Sequence, residues 1–364
     1  MKLTVLGLSI TSSWGNGHAT TYRGLIRELS RAGHEVVFLE RDQPWYAENR
    51  DLPQPDFCET HIYHSLAELK SNFGEAVRDA DCVIVGSYVP EGIAVGEWIN
   101  DEASGVTAFY DIDTPVTLAA LDCGTCDYLS IDLIRRYSLY LSFTGGPTLR
   151  KLERQYGSPM ARALYCAVDP ALYFPEQATE QWALGYLGTF SEDRQPTVAQ
   201  LIMTPARELP AERFVIAGPQ YPESIRWPKN VQRITHIEPR DHRAFYNAQR
   251  FTLNVTRADM VRAGYSPSVR LFEAAATATP VISDWWPGLS DFFTPGDEIL
   301  IAKKSREVID ILGKISPDDA RKIGTRARAR VLAEHTAAHR AAELEELIRN
   351  VQYGSRQLER AITS

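Results

Sequence analysis

The residues whose types and spacing best suit chemistry lie in Tyr265-Ser-Pro-Ser-Val-Arg-Leu-Phe-Glu273. The stretch reads as a loop, a helix start and a helix, followed by a buried strand through Thr279-Pro-Val-Ile-Ser-Asp284. Ser266 suits the N-cap, where a hydroxyl accepts a bond from an orphan backbone N–H of the first turn. Pro267 then falls at the first helical position, where its missing N–H costs nothing. Exposed amides and the positive end of the helix dipole at Ser266 and Ser268 would suit a phosphate, and Arg270 adds a full charge. Glu273 stands roughly 10 Å further along the axis at about 1.5 Å per residue, comparable to the separation of a diphosphate from the ribose of its own nucleotide. A carboxylate there could accept bonds from ribose hydroxyls. The same residues also fit a capped amphipathic helix with a solvated Arg and Glu, so the surrounding elements have to decide.

The first half begins with an apolar run, Leu3 to Ile10, of the kind that forms a buried parallel strand. It empties into a loop of small residues containing Gly15, Asn16, Gly17 and His18. A helix with Tyr22, Leu25, Ile26 and Leu29 on one face follows, and then a second strand from His34 to Glu40. This order is that of a nucleotide-binding half-fold. The loop, however, is neither the G-x-G-x-x-G of dinucleotide sites nor a phosphate-binding loop, since no Lys follows. His18, at the mouth of this loop, could act as a base, donate a hydrogen bond to an acceptor or phosphate, or simply cap the helix.

Further strands are expected at Asp81–Ser87 and Val106–Asp113, with Asp111 and Asp113 read as two carboxylates on one strand face. Either could orient a sugar hydroxyl or act as a base; either could equally form a turn before Thr114-Pro115. Cys123-Gly-Thr-Cys126 follows an apolar helical stretch and has no second close Cys pair, so a redox or zinc role lacks support. A polar linker near residue 175 separates this series from a second one opening at Trp182–Gly188 and continuing through Arg213–Gly218, Val231–Ile237 and Phe251–Val255. Arg326, Arg328 and Arg330 read as a solvated helix face in the tail.

Composition narrows the function. The 364 residues suffice for two cores, and the net charge of -8 argues against non-specific nucleic-acid binding. No signal peptide is legible and no apolar run approaches the ~20 residues of a membrane span. Five scattered cysteines suit reduced thiols in a cytoplasm.

Three stretches in this order resemble the two-domain (GT-B) glycosyltransferases, particularly the CgeB-like spore-maturation group near the group-1 enzymes. They are Gly15-Asn-Gly-His18, Cys166-Ala-Val-Asp-Pro-Ala-Leu-Tyr-Phe-Pro175, and Arg270-Leu-Phe-Glu273-Ala running on to Thr279-Pro280. The resemblance implies an α/β protein with two Rossmann-like domains facing a cleft: residues 1–172 on the acceptor side, 173–335 binding a nucleotide-sugar, and a helix at 336–364 returning to the first domain. It implies a bacterial, cytoplasmic transferase using a nucleotide diphosphate sugar as substrate, with no cofactor and no metal, because amides and basic side chains stabilise the leaving diphosphate. Glu273 would hold ribose; Ser266, Ser268, Arg270, Gly188 and Arg194 would lie about the donor phosphates. His18 and Asp113 would serve catalysis, and Gly15, Asn16 and Gly17 would form the acceptor-side loop. Group-1 enzymes carry another glutamate where Tyr265 stands, a departure that bears on donor identity and stereochemistry and that the CgeB-like pattern tolerates. Two other readings use the same fold: a nucleotide-sugar epimerase and a non-catalytic nucleotide-sugar-binding protein.

Overall fold

The computed structural model describes residues 1–15 and 17–363. Asn16, expected in the acceptor-side loop, lies outside the described residues. The chain divides into two compact units, one of residues 1–166 with 337–364 and one of residues 167–336. The segment 167–172, expected with the first unit, belongs to the second, where Val168 bridges Thr336 and its N–H bonds the His335 carbonyl at 3.1 Å.

The first unit holds seven parallel strands: β1 (Lys2–Gly7), β2 (Glu35–Arg41), β3 (Glu59–Tyr63), β4 (Cys82–Gly86), β5 (Val106–Asp111), β6 (Leu139–Ser142) and β7 (Ala161–Ala163), in the order β3-β2-β1-β4-β5-β6-β7. The central strands are apolar almost throughout because helices cover both faces of a parallel sheet; every residue of β4 and β5 is buried. The edge strands β3 and β7 are short and mixed in character, and for that reason escape a reading based on apolar runs. Asp111 ends β5, and Asp113 lies beyond it at the N-cap of the Thr114–Asp122 helix. The two carboxylates therefore do not share a strand face. The helix Ala337–Thr363 packs on the helix His18–Arg31, burying Leu344 and Ile348 completely.

The second unit holds six parallel strands: β8 (Trp182–Leu187), β9 (Phe214–Ala217), β10 (Val231–Ile234), β11 (Gln249–Asn254), β12 (Val281–Ser283) and β13 (Leu300–Ile301), in the order β10-β9-β8-β11-β12-β13. Leu184, Phe214, Ile216, Phe251, Leu253 and Ile282 form the centre of its core. The basic tail residues are not simply solvated. Arg326 and Arg330 pair with Asp297 and Glu298, and Arg328 donates to the Ala276 carbonyl at 3.1 Å.

Each sheet has one place where the order of strands reverses, between β1 and β4 in the first and between β8 and β11 in the second. Outside the carboxyl ends of such strands the flanking loops part and leave a crevice, the usual ligand site of open α/β sheets.

Candidate functional site

In the second unit the reversal point is organised around Arg270. Its Nη1 donates to Asn254 Oδ1 at 2.9 Å, and its Nε donates to the Leu187 carbonyl. Leu187 ends β8 and Asn254 ends β11, so one guanidinium ties together the two strands on either side of the reversal. Ser268 Oγ donates to the same Asn254 oxygen at 2.9 Å. The Arg270 guanidinium also lies over the Tyr186 ring, 5.1 Å from its centroid.

The helix begins two residues later than expected. It spans Val269–Ala276, with Ser268 at its N-cap and no side-chain capping bond. Ser266 is buried in the preceding loop, where Tyr265 takes a left-handed φ of 49° and its N–H bonds the Pro287 carbonyl at 2.7 Å. That turn redirects the chain before the helix can start. The Tyr265 ring covers Gly288, where a Cβ would come within 2.4 Å of it. Tyr265 is thus packed against the Trp286–Gly288 turn.

Gly188 follows β8 directly. A Cβ there would lie 2.6 Å from the Tyr186 hydroxyl and 3.1 Å from Arg270 Nη2, so only glycine fits without displacing the cluster. Arg194 caps the next short helix and donates to the Thr189 carbonyl at 2.7 Å. Burial depresses its affinity for a proton, and the nearby positive charges of Arg270 and Arg257 depress it further. Asp193 accepts the Ala258 N–H at 2.8 Å, which draws the Arg194 loop to the start of the Ala258–Ala263 helix and so to Arg257. None of these three guanidiniums forms an ion pair among the described residues, although the carboxylates of Asp193 and Asp284 act on Arg194 and Arg270 from further off. Such a cluster favours an anion, and planar guanidiniums match phosphate oxygens in pairs.

Glu273 is not on a solvated helix face. It is buried, accepts a bond from the Tyr246 hydroxyl at 3.1 Å, and has His242 Nδ1 at 3.9 Å. Leu271, Phe272 and Ala274–Ala276 are buried as well, so the helix is enclosed on nearly every side.

In the first unit the reversal brings His18 and Asp113 to one residue, Tyr88. The His18 and Tyr88 rings meet edge-on at 5.5 Å, and the Tyr88 hydroxyl lies 3.4 Å from Asp113 Oδ2. Tyr88 takes a left-handed φ of 63° just after β4, a costly conformation for a bulky residue and one that tends to mark functional turns. His18 is buried, its Nδ1 has no hydrogen-bond partner among the described residues, and desolvation lowers its pKa to about 4. Asp111, by contrast, is a core residue. It accepts Tyr140 Oη at 2.5 Å and Thr117 Oγ1 at 2.7 Å, and burial pushes its pKa up to about 6.

The loop after β1 is clamped by Glu40, a fully buried carboxylate. It accepts bonds from Ser9 Oγ, Ile10 N, Thr11 N and Thr11 Oγ1 at 2.7–3.0 Å. Gly15 has a φ of +67° with open space around it, and Gly17 is the N-cap of the His18–Arg31 helix. Cys123 and Cys126 are both free thiols beyond the Thr114–Asp122 helix.

Reading the sequence alone missed Arg257, Asn254, Tyr88 and Glu40. Asn254 and Arg257 had a signal: the first ends a buried strand and the second follows it, as Gly188 and Arg194 follow β8. Tyr88 also follows a strand, β4, but its left-handed turn leaves no spacing pattern, and Glu40 had no signal, because a buried carboxylate clamp leaves none either.

Comparison with known proteins agrees with this architecture. The profile of a family described as "Glycosyl transferase-like" matches residues 194–346. No curated protein sequence matches the chain. Among solved structures, the chain is similar to a sucrose-phosphate synthase from Thermosynechococcus elongatus, with TM-score 0.70 and 15% identity over 97% of this chain and 100% of that one. It is also similar to Anabaena HepE in complex with UDP-glucose, with TM-score 0.71 and 12% identity over 96% of this chain and 100% of that one. An alpha-glucosyltransferase in complex with UDP gives TM-score 0.72 and 12% identity over 96% and 100%. With two parallel Rossmann-like sheets in one chain, the protein has the GT-B fold.

Proposed function

We propose that the protein is a glycosyltransferase that moves a sugar from a nucleoside diphosphate sugar to an acceptor hydroxyl. The observation that carries this reading is the convergence of Arg194, Arg257 and Arg270, none of them ion-paired among the described residues, at the strand reversal of the second unit. Breaking the glycosidic bond to the donor leaves a diphosphate whose negative charge grows as the bond lengthens. Fixed guanidiniums aimed at that charge stabilise the transition state more than the ground state. In this reading no metal ion is required for that step, because the side chains supply the charge.

Glu273, one turn beyond Arg270, holds the ribose hydroxyls, and Gly188 lets the diphosphate approach the backbone. In the first unit, an imidazole with a pKa near 4 is neutral at pH 7, and His18 hydrogen-bonds the substrate rather than holding a proton. Asp113, held beside Tyr88, accepts the proton of the acceptor hydroxyl. The resemblance of the interdomain and ribose-side stretches to CgeB-like enzymes supports the same assignment. The UDP and UDP-glucose named for the similar structures make uridine nucleotides the first probes.

The experiment is a thermal-shift screen against UDP-, GDP-, ADP- and dTDP-sugars, because a ligand that binds only the native state raises the melting temperature. It is followed by measuring nucleoside diphosphate release with and without a mixed pool of acceptors in EDTA. One nucleotide class should stabilise the protein, and acceptor should accelerate release in the chelator. Stabilisation by none of them would refute the assignment.

A further inference from the structure

We propose that Trp14 and Trp45 form a stacking platform for a saccharide acceptor on the first unit, an inference that rests on the glycosyl-transfer reading. Both indoles are about half exposed, at 51% and 50%. They leave the sheet from neighbouring parallel strands, Trp14 after β1 and Trp45 after β2.

Hydrogen bonds tie the two segments into one frame. Ser12 Oγ donates to the Asn49 carbonyl at 2.7 Å and accepts the Trp14 N–H at 3.3 Å. Asn49 Nδ2 in turn donates to the Trp45 carbonyl at 2.8 Å. Ser13 donates through both N and Oγ to Asp51, at 2.8 and 2.9 Å, and Arg23 closes on the same carboxylate with two bonds of 2.8 Å. Beneath them Glu40 fixes residues 9–11. These bonds fix the backbone that carries both indoles, so the two exposed aromatic side chains leave one shared frame.

Charge identifies the occupant. The cations of this frame are already engaged: Arg23 with Asp51, Arg50 with Asp42, and Arg41 with Glu91. Among the described residues of the frame no free cation is left for a phosphate, which a nucleic acid or an anionic lipid would require. What it offers is flat aromatic faces beside a partly exposed carboxylate, Asp42 at 29%, whose Oδ1 alone is taken by Arg50, whereas both Asp51 oxygens are filled by Ser13 and Arg23. A neutral ligand with C–H faces to cover an indole and hydroxyls to donate to a carboxylate fits this surface. A saccharide has both.

The test uses the full chain with neutral tri- to hexasaccharides of glucose, mannose, galactose and N-acetylglucosamine, read by saturation-transfer NMR and calorimetry. Wild type should bind at least one series. The double variant W14A/W45A should weaken it by about tenfold or more, as loss of two aromatic contacts would. The variant W14F/W45F, which keeps a stacking face, should recover part of the affinity. The thermal shift produced by a nucleotide-sugar is measured on all three proteins. Its absence in wild type sinks the transferase reading, while the saccharide titration is judged separately. The platform is overturned if no series binds, if W14A/W45A binds as well as wild type, or if the tryptophans instead govern sedimentation with phosphatidylglycerol vesicles.

Discussion

Arg270 and Asn254 meet across the reversal point of the second sheet, with Nη1 of one donating to Oδ1 of the other at 2.9 Å. The contact joins a helix to the end of β11 while the same guanidinium reaches the end of β8, so it fixes a cation at the point proposed for the diphosphate. Arg270→Ala should weaken nucleoside diphosphate binding by about 10- to 100-fold, the loss of one or two charge-assisted bonds. Arg270→Lys should recover little, because an ammonium cannot bridge both acceptors and still face a ligand. Calorimetric titration decides it; near-wild-type affinity of either variant would remove Arg270 from the site.

Glu273 makes a prediction that separates binding from folding. Glu273→Ala leaves the buried Tyr246 hydroxyl without its acceptor and should cost about 1–3 kcal/mol of stability. Glu273→Gln keeps an acceptor and should cost less. If the carboxylate holds ribose hydroxyls, a nucleotide lacking the 2′ and 3′ hydroxyls should bind wild type and Glu273→Gln almost equally, while the intact nucleotide discriminates between them. Fully additive losses in this cycle would place Glu273 away from the ribose.

Gly188 and Tyr186 are coupled by space. A methyl group at 188 would meet the Tyr186 hydroxyl at 2.6 Å, and that hydroxyl is buried without a hydrogen-bond partner among the described residues. Tyr186→Phe should therefore be neutral or slightly stabilising. Gly188→Ala should destabilise by about 1–3 kcal/mol, as overpacking does, and the double variant should regain part of that loss. Denaturant melts of the four proteins give the coupling energy, and strict additivity would contradict the contact.

His18 and Asp111 should bend the stability–pH curve in opposite directions. The folded pKa of His18, about 4, lies below its usual 6.5. Only the unfolded state binds the proton in that window, so stability falls as pH drops from 6.5 towards 4. The folded pKa of Asp111, about 6, lies above its usual 3.8. Here the native state binds the proton first, and stability falls as pH rises from about 4 to about 6. His18→Gln should lower the slope of stability against pH between 4 and 6, and Asp111→Asn should raise it. Urea melts at half-unit pH intervals check both, and a shared sign would contradict one of the two environments.

Much of the frame was legible because parallel strands covered on both faces must be apolar along their whole length. The runs at Leu3–Ile10, Asp81–Ser87 and Trp182–Gly188 announced their strands, and Gly188 and Arg194 fall in the loop past the carboxyl end of β8, where the strand reading put them. The edge strands β3, β7 and β13 were not legible, since a short strand at the rim needs no continuous apolar run. The helix start was misplaced by two residues because Ser266 and Pro267 have the local chemistry of a cap, and only the left-handed turn at Tyr265 overrides it.

The sequence by itself therefore determined the alternation of strand and helix, and with it the two sheets and the loops that could carry a ligand. Tertiary structure alone decided which polar residues became structural and which were left to act. Asp111 and Asp113 are two residues apart and chemically identical, yet one is enclosed by Tyr140 and Thr117 while the other sits beside Tyr88 at a helix start. Glu40 reads as the polar end of a strand and is in fact the buried anchor of a loop. Arg257 acquires meaning only when Asp193, distant in sequence, bonds the amide next to it. Local sequence sets periodicity, which is a property of neighbours along the chain. The environment of a charge is set by neighbours in space, and those appear only when the sheet has closed its order.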